Sequence, residues 1–211
     1  MESNNSQNNY IILSGQISSD FTYSHQVYGE AFYSFTLSSK RLSDVFDTLP
    51  VTISERLLTD IEARRGQFVT VTGQLRSYNS YSDGKTHLIL TVFAKDISIN
   101  DEKAKDINNI QLNGFICKPP IYRTTPFGRE ISDILLAVNR AYNKSDYIPI
   151  ICWGRNAKFS SNLEVGTNII ITGRMQSRSY QKKISDNEVI ERTAYEVSVS
   201  KIELMSNNID K

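Results

Sequence analysis

The chain has 211 residues, of which 39% are apolar and 22% charged, and its formal net charge is +1. This length suits two domains of about 100 residues, and the composition is that of a folded protein rather than a disordered one. No apolar run approaches the roughly 18 residues of a membrane span, the polar N-terminus predicts no secretory signal, and the near-neutral charge excludes binding by bulk positive charge alone.

The chain repeats itself with a period near 99 residues. Residues 11–53 align without a gap on 110–152, and ten of these 43 positions are identical. At a shift of 100 residues, VTVTGQL (69–75) aligns with IIITGRM (169–175). Ordered matches of Gly, Pro, Arg and Asp indicate a duplication, because a shared β-rich composition would not place them in register.

The repeat predicts the organisation of the chain. Residues 10–100 form unit one and residues 109–205 form unit two. The polar residues 1–9 are predicted to be disordered, the charged residues 101–108 to be a linker, and residues 206–211 to be a frayed tail.

In chain order, each unit contains five segments with the apolar pattern of short strands. In unit one these segments are residues 11–17, 31–39, 50–54, 67–78 and 86–99. In unit two they are residues 110–116, 131–139, 148–153, 168–180 and 193–204.

One helical segment precedes the fourth strand of each unit. In unit one, Ser54 is placed to cap a helix that carries Leu57, Leu58 and Ile61 at helical spacing, with Gly66 after its end. Residues 155–166 form a weaker equivalent in unit two. Five strands with a helix between the third and fourth predict an all-β fold of two tandem OB-folds, which are five-stranded Greek-key barrels.

The fourth strand of unit two has a polar face. With a period of two residues, Arg174, Gln176, Arg178 and Tyr180 point to the same side. Such a face can bind phosphate and stack a base. A solvated outer face explains the same pattern equally well.

The region before this strand interleaves aromatic and basic residues, as single-stranded nucleic-acid sites do. Tyr142 and Tyr147 flank the polar hairpin NKSD, so these two tyrosines are harder to place in a core than Trp153. Trp153 either stacks on bases or packs in the core, since its neighbours alternate with apolar residues.

Unit two resembles the OB-fold of the bacterial single-stranded DNA-binding protein family. The resemblance lies in NGFICKPPIYRTTPFGREISDILLAVNR, SDYIPIICWGRNA and VGTNIIITGRMQSRSY, and it covers nearly all of residues 110–204. It implies base-stacking roles for four aromatic residues and backbone contacts for four basic ones. These residues are Tyr142, Tyr147, Trp153 and Tyr180, with Arg140, Arg155, Arg174 and Arg178. We add Arg123, Lys144, Lys182 and Lys183 as further nucleic-acid binding candidates.

Unit one departs from the family pattern. In register, Ser43, Thr48 and Ser54 stand where unit two has Tyr142, Tyr147 and Trp153. Residues 1–105 carry 10 basic and 12 acidic side chains, net −2, whereas residues 106–211 carry 14 and 11, net +3. We therefore expect a degenerate binding face in unit one. Its weaker candidates are Arg41, Arg76, Tyr78 and Tyr81.

These patterns predict a non-enzymatic, sequence-tolerant binder of single-stranded DNA that acts in replication, recombination or repair in the bacterial cytoplasm. The family's four-barrel assemblies imply a homodimer of this two-barrel chain, and replication or repair proteins are possible partners. The alternative is an assembly subunit of a primosome-like or mobile-element replication complex. A nuclease would need clustered carboxylates, whereas the Asp and Glu residues of this chain are scattered singly. RNA stays open as a ligand, because base stacking does not distinguish RNA from DNA.

Cys117 and Cys152 lie in apolar runs, which predicts two buried free thiols. Together with His25 and His87 they show no metal-ligand spacing, so no metal, catalytic residue or cofactor is expected.

Overall fold

The computed structural model describes residues 8–61, 63–82, 84–100, 105–185 and 188–205. Unit one contains β1 (Asn9–Ile17), β2 (Thr22–Val27), β3 (Glu30–Lys40), β4 (Phe46–Ser54), α1 (Glu55–Ile61), β5 (Phe68–Ser82) and β6 (Lys85–Ile99). Unit two contains β7 (Asn108–Ile116), β8 (Ile121–Thr124), β9 (Glu130–Arg140), β10 (Lys144–Trp153), α2 (Arg155–Ser160), β11 (Asn168–Ser185) and β12 (Glu188–Leu204).

Five strands of each unit close into a barrel. In unit one, the neighbours run β3, β4, β6, β5 and β1, and β1 returns to pair with β3. In unit two, β9, β10, β12, β11 and β7 follow the same order, and β7 pairs with β9. Each helix lies between the third and fourth barrel strand, so the prediction of two OB-folds is confirmed.

A sixth strand in each unit was not predicted. β2 and β8 pair with the outer sides of β3 and β9 and form the two edges of the twelve-stranded sheet in the described residues. All of their residues are at least partly exposed and none is buried. Because neither side of these strands faces a core, the sequence shows no apolar alternation there.

Glycines in β5 and β11 allow the barrel strands to bend. The pairing register with β6 shifts between Thr72 and Gly73, and the register with β12 shifts between Thr172 and Gly173. A Cβ atom on Gly73 would lie 2.1 Å from the carbonyl oxygen of Phe93. Only glycine permits this close approach of the two backbones.

The predicted helix of unit one is present but shorter than expected. The Ser54 hydroxyl accepts a hydrogen bond from the backbone N–H of Arg56 at 3.2 Å, as an N-cap does. Leu57, Leu58 and Ile61 pack against the core. The helix ends at Ile61, and Gly66 (φ 90°) lies in the turn before β5 instead of at the helix terminus.

The two barrels join through their first strands. β1 and β7 are antiparallel, with Ile11 opposite Ile110. Two further backbone bonds flank this pairing, from Ser14 N to Ile107 O (2.6 Å) and from Asn113 N to Asn8 O (2.8 Å). The second bond is the repeat equivalent of the first, so the two units are related by an approximate twofold axis.

The limits of the units remain a proposal drawn from the repeat. β1 begins at Asn9 and β7 at Asn108. Residues 1–7, 101–104 and 206–211 lie outside the described residues, so most of the predicted disordered segment, half of the predicted linker and the whole tail fall there. Both cysteines are free thiols; Cys152 is buried as predicted, whereas Cys117 is only partly buried.

Candidate nucleic-acid interface

A buried carboxylate from unit one is held by groups of both units. Asp47 is 1% exposed. It accepts hydrogen bonds from Arg41 Nε (2.7 Å), the backbone N–H of Ser177 (2.7 Å) and Arg174 Nη1 (3.1 Å). Burial alone would raise the pKa of Asp47, but the hydrogen bonds from Arg41 and Ser177 and the charges of Arg41 and Arg174 hold it below its usual value.

The approximate twofold axis produces the same arrangement around Asp146, which is fully buried. Its oxygens accept hydrogen bonds from Arg76 Nη1 (2.9 Å) and the backbone N–H of Ser77 (2.8 Å), both in unit one. Arg140 Nε lies 3.6 Å from the same carboxylate. We call the Asp47 and Asp146 clusters the cross-unit clamps.

The cross-unit clamps give four predicted binding residues a structural role. Arg41, Arg76, Arg140 and Arg174 all pair with a buried carboxylate. Their side chains remain 24–36% exposed, so each guanidinium also has a face toward solvent. This role was not predicted from the sequence, although Asp47 and Asp146 are identical positions of the repeat.

A groove runs over the outer side of the β10–β12 sheet. Its wall combines basic, aromatic and hydroxyl side chains, and we call it the unit-two groove. It is lined by Arg41, Arg123, Thr125, Arg129, Ile131, Ile151, Trp153, Arg174, Gln176, Ser177, Arg178, Glu196 and Ser198. Four candidates predicted for unit two therefore come together here, namely Arg123, Trp153, Arg174 and Arg178.

Trp153 lies on the groove wall rather than in the core. The residue is 37% exposed, and its Nε1 donates a hydrogen bond to Ser198 Oγ at 3.2 Å. The indole is thereby fixed with part of its face open, as a stacking platform requires. Arg123 and Arg178 are about half exposed and lie near Asp133 and Glu196 respectively.

The β11–β12 hairpin extends the polar face beyond the barrel. Tyr180 is 39% exposed, and the Arg178 guanidinium lies 5.9 Å from the centre of its ring. Lys182 and Lys183 continue β11 opposite Ile190 and Val189. Arg155 is exposed at the start of α2.

The β9–β10 hairpin separates from these residues and lies against unit one. Tyr142 is 95% exposed in the turn, with a left-handed φ of 61°, and Lys144 follows it. The backbone N–H of Tyr147 donates to Ser77 Oγ at 2.7 Å. Tyr142, Lys144 and Tyr147 therefore do not join Trp153 in the unit-two groove.

A second groove occupies the equivalent position of unit one, and we call it the unit-one groove. It is lined by Ser24, His25, Thr52, Arg76, Ser77, Tyr78, Thr91, Phe93 and Arg140. Tyr78 is 54% exposed, and Tyr81 lies farther along β5 with most of its ring exposed. Sequence comparison missed Phe93 because it aligns with a serine, Ser198.

Both grooves have the chemistry of a surface that contacts phosphate through arginine and bases through rings. Among the described residues, no group of three or more His, Cys, Asp or Glu side chains could hold a metal ion. No helix of the described part is long and apolar enough to cross a membrane. The fold and grooves thus define an OB-fold protein with polar, aromatic-lined surfaces.

The profile described as the single-strand binding protein family matches residues 107–205. The chain is 30% identical over 115 residues to single-stranded DNA-binding protein 2 of Listeria monocytogenes, covering 49% of this chain and 69% of that protein. It is 36% identical over 84 residues to the single-stranded DNA-binding protein of Clostridium tetani, covering 36% and 58% respectively. The chain belongs to the single-strand binding protein family.

For the Clostridium relative, the chain spans little more than half of that protein's length. A solved structure resembles the whole chain. The wild-type single-stranded DNA binding protein from Thermus aquaticus matches with a TM-score of 0.77 and 20% identity, over 96% of this chain and 95% of that one. At this identity the match shows the fold, and it includes both units.

Proposed function

We propose that the protein binds single-stranded DNA with little sequence preference, mainly through unit two, and acts in replication, recombination or repair. The observation that carries this proposal is the open face of Trp153 beside Arg123, Arg174 and Arg178 in the unit-two groove. Rings stack on any base, and guanidinium groups follow the phosphate backbone. Relatives with single-stranded DNA-binding names support the same ligand. We propose no catalytic step.

Titration with oligo(dT) tests this function through Trp153, the single tryptophan of the chain. Stacking should quench its fluorescence, and the affinity should fall as salt rises because bound cations are released from the phosphates. An unchanged fluorescence together with unchanged electrophoretic mobility at low salt would refute the proposal.

Tyrosine variants locate the binding face. Tyr180→Ala should weaken binding of an oligonucleotide of about 10 nucleotides by roughly 1–3 kcal/mol, the contribution of one stacked base. This effect should exceed that of Tyr78→Ala in unit one. An equal or larger effect of Tyr78→Ala would contradict a main site in unit two.

We also propose that two chains form a homodimer with four barrels. The exposed edge strands β2 and β8 leave unpaired backbone groups at both ends of the sheet. Light scattering coupled to size exclusion should give twice the chain mass of 24.0 kDa. A mass of one chain at micromolar concentration would exclude the dimer.

A second candidate function is protein assembly, as in a primosome-like complex. It is favoured by the β3–β4 hairpin of unit one, where Leu42, Val45 and Phe46 are exposed at the positions of Ala141, Lys144 and Ser145 in unit two. Copurification of partners that survives nuclease treatment would support assembly, and loss of all partners after nuclease would favour DNA binding alone.

A further inference from the structure

The two grooves correspond to each other under the repeat. Ser77 and Tyr78 of the unit-one groove are equivalent to Ser177 and Arg178 of the unit-two groove. Each groove also receives one arginine from the other unit, because Arg140 of unit two lines the unit-one groove and Arg41 of unit one lines the unit-two groove. The unit-one groove is therefore built from both halves of the chain.

An aromatic ring is present in both grooves but comes from different strands. In unit two, the hydrogen bond between Trp153 and Ser198 shows that the end of β10 lies beside β12. The equivalent residues of unit one are Ser54 and Phe93, which line one common cavity. In unit two the ring is on β10 and the serine on β12, whereas in unit one the serine is on β4 and the ring on β6. Phe93 therefore supplies the ring that is absent at position 54.

Phe93 is held in place while part of its ring stays accessible. The ring is only partly buried, and its centre lies 5.5 Å from that of Phe32. Phe32 in turn stacks on His25 at 5.0 Å with an interplanar angle of 8°. Tyr78 provides a second exposed ring in the same groove. Rings fixed in this way lose little conformational freedom when a base stacks on them.

The unit-one groove has no carboxylate on its lining, although it carries two arginines against five in the unit-two groove. Glu196 lines the unit-two groove, whereas its equivalent in unit one is Thr91. The residues that line the unit-one groove include Arg76 and Arg140 and no carboxylate. Arg140 Nε is itself buried and lies 3.6 Å from Asp146. A phosphate oxygen therefore has only the exposed parts of the Arg76 and Arg140 side chains to bind, and it meets no competing carboxylate on the groove lining.

We propose that the unit-one groove is a second binding site for single-stranded nucleic acid, with a base on Phe93 and Tyr78 and a phosphate on Arg76 and Arg140. This inference rests on the proposed function and extends it. The site replaces the stacking position lost at Ser54 by a ring from β6. It needs unit two for its Arg140, so it exists only when the two units are paired.

Phe93→Leu tests the site while keeping an apolar side chain. An oligo(dT) of about 10 nucleotides occupies one OB-fold, whereas one of about 30 reaches two. The variant should bind the short oligonucleotide as the wild type does, with the same quenching of Trp153. It should bind the long one about fivefold or more weakly, since one stacked base contributes at least about that factor. Phe115→Leu, a partly exposed phenylalanine outside both grooves, should change neither affinity.

Ultraviolet crosslinking of the full wild-type chain to the long oligo(dT) gives a second measurement that does not depend on the variant's folding. Mass spectrometry should find adducts on peptides of β5 or β6 as well as on unit two. Adducts confined to unit two, or an unchanged long-oligonucleotide affinity of a folded Phe93→Leu, would overturn the second site and leave the proposed function intact. Absence of both adducts and Trp153 quenching would overturn the proposed function and this inference with it.

Discussion

Removal of the Asp47 carboxylate should destabilise the protein far more than its position near a surface hairpin indicates. Asp47→Ala leaves Arg41, Arg174 and the backbone N–H of Ser177 without their acceptor. Breaking a buried ion pair by removing one partner typically costs 3–5 kcal/mol. Because both arginines keep a face in water, we expect the lower end, about 3 kcal/mol in the free energy of unfolding.

Urea unfolding followed by far-ultraviolet circular dichroism measures this loss. Asp44→Asn is the matched control, since Asp44 lies on the same hairpin and pairs with Lys40 at 2.6 Å but is largely exposed, and asparagine tolerates its left-handed φ of 59°. The control should change stability by less than about 0.5 kcal/mol. If the two variants lose similar free energy, the Asp47 clamp contributes no more than a surface ion pair and the reasoning is wrong.

Three further results are expected. The pKa of the Asp47 carboxyl is lowered in the folded state. The ionised carboxylate therefore stabilises the fold fully above the unfolded-state pKa of about 4, and this stabilisation is lost as the pH falls through the lower, folded-state pKa. In acid titrations, Asp47→Asn should flatten the dependence of the free energy of unfolding on pH in this range. Gly73→Ala should cost about 1–3 kcal/mol in urea unfolding, because its Cβ would collide with the carbonyl oxygen of Phe93; a neutral change would show that the bulge relaxes freely. Burial raises the pKa of the Cys152 thiol to about 11, so a thiol reagent near neutral pH should label it only when the protein unfolds. Rapid labelling of Cys152 in the native protein, located by mass spectrometry, would contradict its burial.

The barrel architecture was accessible from the sequence because each barrel strand buries one side. Apolar alternation, the paired glycines and the helix with its Ser54 cap in unit one are local signals that can be recognised without knowledge of contacts. The edge strands β2 and β8 carry no such signal, since both of their sides meet solvent. The predicted end of α1 was wrong because a glycine with a left-handed φ occurs both after helices and in other turns. Gly66 lies in the turn before β5, and the helix ends at Ile61.

The candidate site was less accessible because its members come from both units. Arg174 and Arg140 look like phosphate ligands along the strand, yet each also pairs with a buried aspartate. Tyr142 and Trp153 are close in sequence but belong to different surfaces, as the β9–β10 hairpin crosses to unit one. Phe93 could be assigned to a groove only after β4 and β6 were seen to be parallel neighbours.

The antiparallel pairing of β1 with β7 has a consequence for dilution. In an assembly of separate single-barrel chains, such a pairing is a bimolecular equilibrium and weakens as the protein becomes scarce. Here Ile11 and Ile110 belong to one polypeptide, and only residues 100–107 separate the last strand of unit one from the first strand of unit two. A connection of this length gives the two barrels an effective concentration in roughly the millimolar range. The paired barrels should therefore persist at cellular abundances at which a noncovalent pair would separate, and an interface of modest intrinsic affinity is sufficient.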